Sequence, residues 1–170
     1  GLAGVLGRTV GQDDVSRALD AAKAIALPYE RQVLHVIPRG YVVDGQDGIR
    51  SPIGMHGFRL EVEAHIVTGS TAALRNLEKC LEAAGLEVDG WVLGSLASGE
   101  VVLTETEREM GVVACDIGGG TCDLAVYIEG SVWHTAVIPV GGQHLTSDIA
   151  QGLHLPQETA ETVKCRHGHA

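Results

Sequence analysis

What this sequence lacks narrows it before any motif is found. Its 170 residues hold no run of about 18 uninterrupted apolar residues, so no segment crosses a membrane unaided as a helix. Basic residues are few. Twelve Lys and Arg against 22 Asp and Glu leave a net charge of −10, which excludes broad electrostatic binding to nucleic acid. The four cysteines, Cys80, Cys115, Cys122 and Cys165, show no C-x-x-C spacing. That argues against a disulfide framework and a structural zinc site alike. Gly1–Val10 has neither an apolar h-region nor a cleavage site, and the expected setting is a reducing cytoplasm. The only methionines are Met55 and Met110, so Gly1 is not a translation start and the chain reads as a piece of a longer one. Hydrophobic residues make up 45%, an ordinary globular level that excludes a wholly disordered chain.

Residues 1–85 read as a small mixed layer of two helices and about three strands. Gln12-Asp13-Asp14 caps a helix carrying Val15, Ala18, Leu19, Ala22 and Ile25, which Pro28 ends. Arg31–Ile37 is a β-branched strand, and Tyr41-Val42-Val43 a second short one after Pro38. Asp44–Gly48 is turn chemistry. From Arg59 to Val67, Leu60, Val62, Ala64 and Ile66 face one way while Arg59, Glu61, Glu63 and His65 face the other, predicting a strand with one wet face. Ser70 and Thr71 cap a second helix with Leu74, Leu77 and Leu81, and Gly85 sits where a left-handed cap belongs. No convergent catalytic set occurs here, and the unit reads as a structural or interaction module.

Residues 86–110 form a connection. Trp91, Leu93, Leu96, Val101 and Val102 suggest a helix diluted by Gly90, Gly94 and Gly99. Glycine costs a helix about 1 kcal/mol relative to alanine, so these positions imply close packing against a neighbouring element. From Gly111 the character changes. Val112–Cys115 is a continuous apolar run expected to be buried on both faces, Cys115 included. Two further runs, Cys122–Ile128 and Val132–Val140, follow across short glycine turns, which predicts an antiparallel meander. Gly141-Gly142 opens a helix with Leu145, Ile149, Ala150 and Leu153, and Pro156 begins a last one.

The chemistry concentrates in Asp116-Ile-Gly-Gly-Gly-Thr-Cys-Asp123. Glycines in a tight hairpin leave backbone N–H groups free to converge on one anion, and Thr121 adds a hydroxyl. Asp116, ending a strand, can hold Mg²⁺ through water or orient a water for attack on a phosphoryl group. Elsewhere, His167-Gly-His169 is the only hint of a metal pair, while His35 and His65 could face each other without a third ligand.

This hairpin resembles the second phosphate loop of the actin–Hsp70–sugar kinase superfamily. Leu34–Pro38 (LHVIP), Tyr41–Ile49 (YVVDGQDGI), Leu96–Ser98, Val102–Glu105, Gly111–Asp123, His134–Pro139, Thr146–Ala150 and Lys164–Gly168 narrow the resemblance to the FtsA family of bacterial cell division. The resemblance implies an α/β fold. Residues 1–85 would be the 1C insertion subdomain, 86–110 a helix returning through subdomain 1A, and 111–170 the first part of subdomain 2A of an actin/ribonuclease H-like nucleotide-binding fold. It further implies that Gly118, Gly119, Gly120 and Thr121 contact the phosphates of ATP, with Asp123, Gly141 and Gly142 beside them. Asp116 would serve Mg²⁺ and water, and Glu161 and Lys164 would approach ribose and adenine.

The implied function is an actin-like, ATP-binding cytoskeletal protein that self-associates into polymers, anchors the FtsZ ring and meets other divisome proteins. It would lie peripherally on the inner face of the cell membrane at the division site, held by a C-terminal amphipathic helix. The resemblance places the first phosphate loop before Gly1, and subdomain 2B, the adenosine-motif glycines and that helix beyond Ala170. No glutamine occurs between Glu87 and Glu100, where actin-like hydrolases often carry one, so hydrolysis is expected to be weak at most. A PilM-like pilus protein and an Hsp70- or sugar-kinase-type ATPase are the alternatives; the inserted unit tells against the latter. Exposed apolar surface is expected near Trp91–Val102, with a tendency to self-associate.

Overall fold

The computed structural model describes residues 1–169 in thirteen elements and two antiparallel sheets. The first sheet has the order β1-β4-β2-β3, from β1 (Leu2–Thr9), β2 (Arg31–Val43), β3 (Gln46–Ile49) and β4 (His56–Ser70). Helix α1 (Gln12–Lys23) lies on one face of it, and Val15, Ala18 and Ala22 meet Ala3, Val5, Leu60 and Val62 in a buried core. Strand β1 is missing from the sequence reading. Gly4 and Gly7 interrupt its alternation, and its pairing with β4 shifts register between Gly4 and Arg8, where Leu6 and Gly7 take positive φ. A short alternating signal broken by a bulge leaves too little period to read.

The two strands expected on either side of Pro38 are one. Pro38 pairs with Ala64, and β3 covers the opposite edge of β2 only at Tyr41–Val43, so the missing proline N–H faces no partner strand. The pairing resumes at Gly40 with Glu63, leaving Arg39 bulged out of register. Asp44 and Gly45, with φ of 50° and 87°, make the two-residue turn into β3, a strand hidden within apparent turn chemistry. Helix α2 (Thr71–Ala83) ends as expected. Gly85 takes φ 78°, its N–H donates to the Glu82 carbonyl, and Leu86 N–H reaches back to Leu81, the Schellman pattern. This helix buries none of its residues fully; Leu74 packs toward Leu34 over Gly69, at the end of the sheet.

The second sheet is the predicted meander, β5 (Val112–Ile117), β6 (Cys122–Ile128) and β7 (Ser131–Ile138). Helix α3 (Gly94–Val102) packs on it around Ala114, Ala125 and Tyr127, and α4 (Glu105–Met110) turns the polar run at 104–109 into a helix through a reciprocal Thr104/Glu107 cap. Of the three glycines in the connection, Gly99 alone is pressed. A Cβ there would meet the Tyr127 hydroxyl at 2.4 Å, while Gly90 and Gly94 have open space. Strand β5 is covered on one side only: Val113, Cys115 and Ile117 are exposed, against the expectation of burial on both faces. A continuous apolar run does not say whether a second layer is present, and among the described residues none covers that side.

Helices α5 (Gly142–Leu153) and α6 (Gln157–His167) complete the chain. The buried positions of α5 are Thr146 and Ala150, whereas Leu145 and Leu153 point outward. The two sheets meet directly. β7 lies against β2 and β4 around Arg39 and His65, so the face carrying His65 is not wet throughout. His65 Nε2 lies 3.0 Å from Thr135 Oγ1, and the Arg39 guanidinium bonds the Trp133 carbonyl and stacks 5.3 Å from its ring centroid. Arg50 pairs with Glu109 at 2.9 Å, and Leu93 N–H donates to His35 Nε2 at 3.1 Å.

Candidate phosphate hairpin and cleft

The β5–β6 hairpin places Asp116 and Asp123 directly opposite each other, with residues 118–121 as its tip. The tip closes on itself once, Gly118 N–H donating to the Thr121 carbonyl at 2.8 Å. The N–H groups of Gly119, Gly120 and Thr121 make no hydrogen bond to the described residues. None of the three glycines has a left-handed φ, and a Cβ on Gly119 or Gly120 would meet nothing within 4 Å. Neither backbone conformation nor packing within the chain therefore explains those two glycines. A group approaching the loop from outside, close to the backbone, would.

Gly141 and Gly142 have a different reason. Gly142 N–H donates to the Gly118 carbonyl at 2.9 Å and Gln143 N–H to the Gly119 carbonyl at 2.8 Å, so the start of α5 holds the back of the hairpin. A Cβ on Gly141 would lie 2.5 Å from the Gly118 oxygen and 2.7 Å from the Gly119 carbonyl. The two glycines seat the hairpin on the helix, and the Gly142 and Gln143 N–H groups at the start of α5 are spent on that seating. His144 Nδ1 accepts from Gly141 N–H at 3.1 Å, which gives that histidine a capping role.

Asp116 is half-buried and receives the Ser98 hydroxyl from α3 at 2.6 Å. Thr121 spends its hydroxyl proton on Asp123 at 3.3 Å. Two carboxylates face to face across a sheet repel each other, an arrangement suited to a cation or its bound water nearby. The Cys122 thiol is pushed up by burial, by Cys115 beside it and by these carboxylates, so it stays protonated at neutral pH.

Beside the hairpin opens a cleft of about 820 Å³ lined by Gly119, Gly142, Gln143, Thr146, Glu161 and Lys164, together with Ser147, Gln157 and Glu158. Lys164 Nζ donates to Glu161 Oε2 at 2.7 Å, to Thr146 Oγ1 at 3.0 Å and to the Gly142 carbonyl at 3.2 Å. Thr146 gives its proton to Glu161 Oε2 at 2.5 Å. Lys164 and Thr146 together hold the Glu161 carboxyl down at about 2. Of the sequence-predicted residues, Gly119, Gly142, Glu161 and Lys164 line this cleft; Gly118, Gly120, Thr121 and Gly141 adjoin it in sequence without lining it, and Asp116 and Asp123 sit on the strands behind the hairpin tip. Sequence reasoning missed Ser98 and Thr146. Both lay in stretches that carried the family resemblance, but a lone hydroxyl has no spacing signature. His167 and His169 acquire no partners; among the described residues, no group of three His, Cys, Asp or Glu side chains could hold a metal ion.

The chain covers 99% of its length in a superposition on a chain of the PilM–PilN type IV pilus biogenesis complex, with a TM-score of 0.62 at 18% identity over 48% of that chain; this is a likeness of fold. Sequence relatives are much nearer. The cell division protein FtsA of Pseudomonas aeruginosa is 48% identical over 170 residues, all of this chain and 41% of that protein. That of Borreliella burgdorferi is 48% identical over 163 residues, 96% of this chain and 40% of its own, and that of Escherichia coli K12 45% over 161 residues, 95% and 38%. The chain spans about two fifths of the length of these curated relatives. The family model described as the SHS2 domain inserted in FtsA matches residues 1–68, and that of cell division protein FtsA matches residues 113–170. With an inserted layer and a phosphate-loop segment both of this one type, in this order, the chain belongs to the FtsA family of cell-division proteins.

Proposed function

We propose that this chain carries one wall of an ATP-binding cleft, and that the protein it represents is an actin-like filament former at the bacterial division site. Gly119 and Gly120 carry the reading. A side chain at either would meet nothing within 4 Å, neither is required by φ, the N–H groups of Gly119, Gly120 and Thr121 are unspent, and Gly119 lines a cleft of nucleotide size. Gly118–Thr121 would cradle the phosphates, with the start of α5 bracing the hairpin from behind. Asp116, oriented by Ser98, and Asp123 fit a Mg²⁺ held through water. That ion would neutralise the phosphate charge; the chain's own part is to hold two carboxylates where its waters need acceptors. Glu161 fits the sugar side of the cleft.

As a family member the protein acts in cell division, which supports a role in tethering the FtsZ ring, contact with other divisome proteins, self-association, and a cytoplasmic place on the membrane's inner face. No described helix is long and apolar enough to cross a membrane. The residue boundaries 1–85, 86–110 and 111–170 remain our division of the chain; the exposed Val92, Val101 and Val102 of the middle part are apolar surface available to a further layer or copy. Nucleotide acts here as a conformational ligand more than a substrate, since the connecting segment lacks a glutamine to orient water.

The test is chemical-shift mapping of the labelled chain titrated with Mg·ATP. We expect weak binding, with shifts clustered at Gly119–Thr121 and at Thr146, Glu161 and Lys164. The paired substitutions Gly119→Ala and Gly120→Ala should abolish those shifts without lowering stability. Shifts confined to other surfaces, or none at millimolar ATP, would overturn the reading.

A further inference from the structure

Thr146 is only 5% exposed, yet it lines the cleft together with Glu161 and Lys164. A threonine hydroxyl has one proton and two lone pairs. The proton goes to Glu161 Oε2, and a lone pair receives Lys164 Nζ. The Gly142 carbonyl, 3.1 Å from Thr146 Oγ1, is then left to Lys164, which reaches it at 3.2 Å. All three ammonium donors of Lys164 are thereby engaged inside the protein. Lys164 is a strut between α5 and α6 and has no donor to spare for a ligand.

Glu161 is left with one oxygen to offer. Oε2 already takes two donors, while Oε1 has only the Cys165 thiol at 3.5 Å, a weak donor. An ionised carboxylate only accepts, so whatever it recognises must bring O–H or N–H groups. Phosphate oxygens or a ligand carboxylate would be repelled. In a nucleotide the sugar lies between phosphates and base, so beside a hairpin proposed to hold the phosphates the first donors to reach Glu161 are the sugar hydroxyls.

We propose that Thr146 is a positioning residue. Its buried hydroxyl fixes the Glu161 carboxylate so that Oε1 faces the cleft and accepts the sugar hydroxyls of a bound nucleotide, and so it sets the preference for ribose. This rests on the nucleotide reading given above and adds to it the residue that aims the carboxylate.

The experiment compares the unsubstituted chain with Thr146→Val, which keeps the buried volume, and Thr146→Ser, which keeps the hydroxyl. Carbon-detected NMR titration of the Glu161 carboxyl should show its midpoint rising in Thr146→Val and staying near 2 in Thr146→Ser. Binding of ATP, 2′-deoxy-ATP and inorganic tripolyphosphate, followed by chemical shift, supplies the second readout. Thr146→Val should lose about tenfold in ATP affinity, the equivalent of one hydrogen bond to a charged group. It should also lose the preference for ATP over the deoxy analogue, keep its tripolyphosphate affinity, and be rescued by serine. An unmoved Glu161 titration in Thr146→Val, or an equal loss for tripolyphosphate and ATP, overturns the role of Thr146. Failure of the unsubstituted chain to bind any of the three sinks the nucleotide reading instead, and the carboxyl titration still decides whether Thr146 positions Glu161.

Discussion

Replacing Gly141 with alanine is the sharpest available probe of how the phosphate hairpin is held. The backbone at Gly141 is extended, with φ −154°, so alanine meets no conformational penalty there. The cost is contact alone. The new methyl would lie 2.5 Å from the Gly118 oxygen and 2.7 Å from the Gly119 carbonyl carbon, both backbone atoms that no rotamer change can remove. Restoring ordinary contact at 3.4 Å moves hairpin and helix apart by about 0.9 Å. A displacement of that size takes the Gly142–Gly118 and Gln143–Gly119 hydrogen bonds, now 2.9 and 2.8 Å, out of range.

The protein will take the cheaper of two routes. Retaining the bonds with strain costs about 1–3 kcal/mol; losing both costs about 1 kcal/mol each. Either route predicts a destabilisation of about 2 kcal/mol. With a urea slope of about 1–3 kcal/mol per molar, the unfolding midpoint falls by about 1 M. Trp133 on β7 supplies the fluorescence signal. Gly120→Ala is the control, because its methyl meets nothing, and its midpoint should stay put or rise slightly as the unfolded chain loses freedom. If Gly141→Ala unfolds within 0.2 M of the unsubstituted chain, roughly the ±0.5 kcal/mol of a neutral surface change, then the close seating of hairpin on helix is not what that glycine provides.

Three further outcomes can be checked together. Asp14, fully buried, accepts from Gly11 N–H at 2.9 Å and from Arg8 at 2.6 and 2.8 Å and also pairs with Arg17, which holds its carboxyl at about 2. Its pKa is depressed on folding, so its contribution is complete above about pH 4 and lost as pH falls toward 2; Asp14→Asn should flatten the acid limb of a pH–melting curve, and an unchanged limb refutes the assignment. His65 is lowered by burial, by Arg39 and by His134, so protonation favours the separated sheets, and the joint between them should weaken as pH drops below about 6.5. A fluorophore pair spanning β3 and α6 should report that loosening, and His65→Gln should remove it, with Glu61 and Glu63 on the same face of β4 to oppose the effect. Isothermal titration of the chain with ATP should give no better than micromolar affinity, and sub-micromolar binding would show that the cleft wall described here is already sufficient.

Much of the fold was legible because its signals are local. The 3.6-residue period of α1, the Ser70 cap and Gly85 stop of α2, and the strand–glycine–strand rhythm of the meander each depend on neighbours in sequence. What was not legible depends on partners distant in sequence. Pro38 looked like a strand end because its tolerance follows from β3 stopping at Ile49. Cys115 looked buried because apolar runs usually are, yet burial is a property of the layer above and not of the run. His65 looked wet because alternation assigns a face without saying what lies on it.

The glycines divide along the same line, and the division bears on function. Eight of the 23 were singled out from sequence in and around the connection and the hairpin, and they looked alike there. In three dimensions Gly99 and Gly141 answer to Tyr127 and to the hairpin backbone, while Gly119 and Gly120 answer to nothing in the described chain. A sequence can show that glycine is present at a tip; only the packing can show that no neighbour requires it. That subtraction, with the unspent N–H groups beside it, directs attention to a ligand. It also explains why Thr146 escaped notice: its importance lies in a single hydroxyl that gives its proton to Glu161 and accepts from Lys164, an arrangement that leaves no periodic or compositional trace.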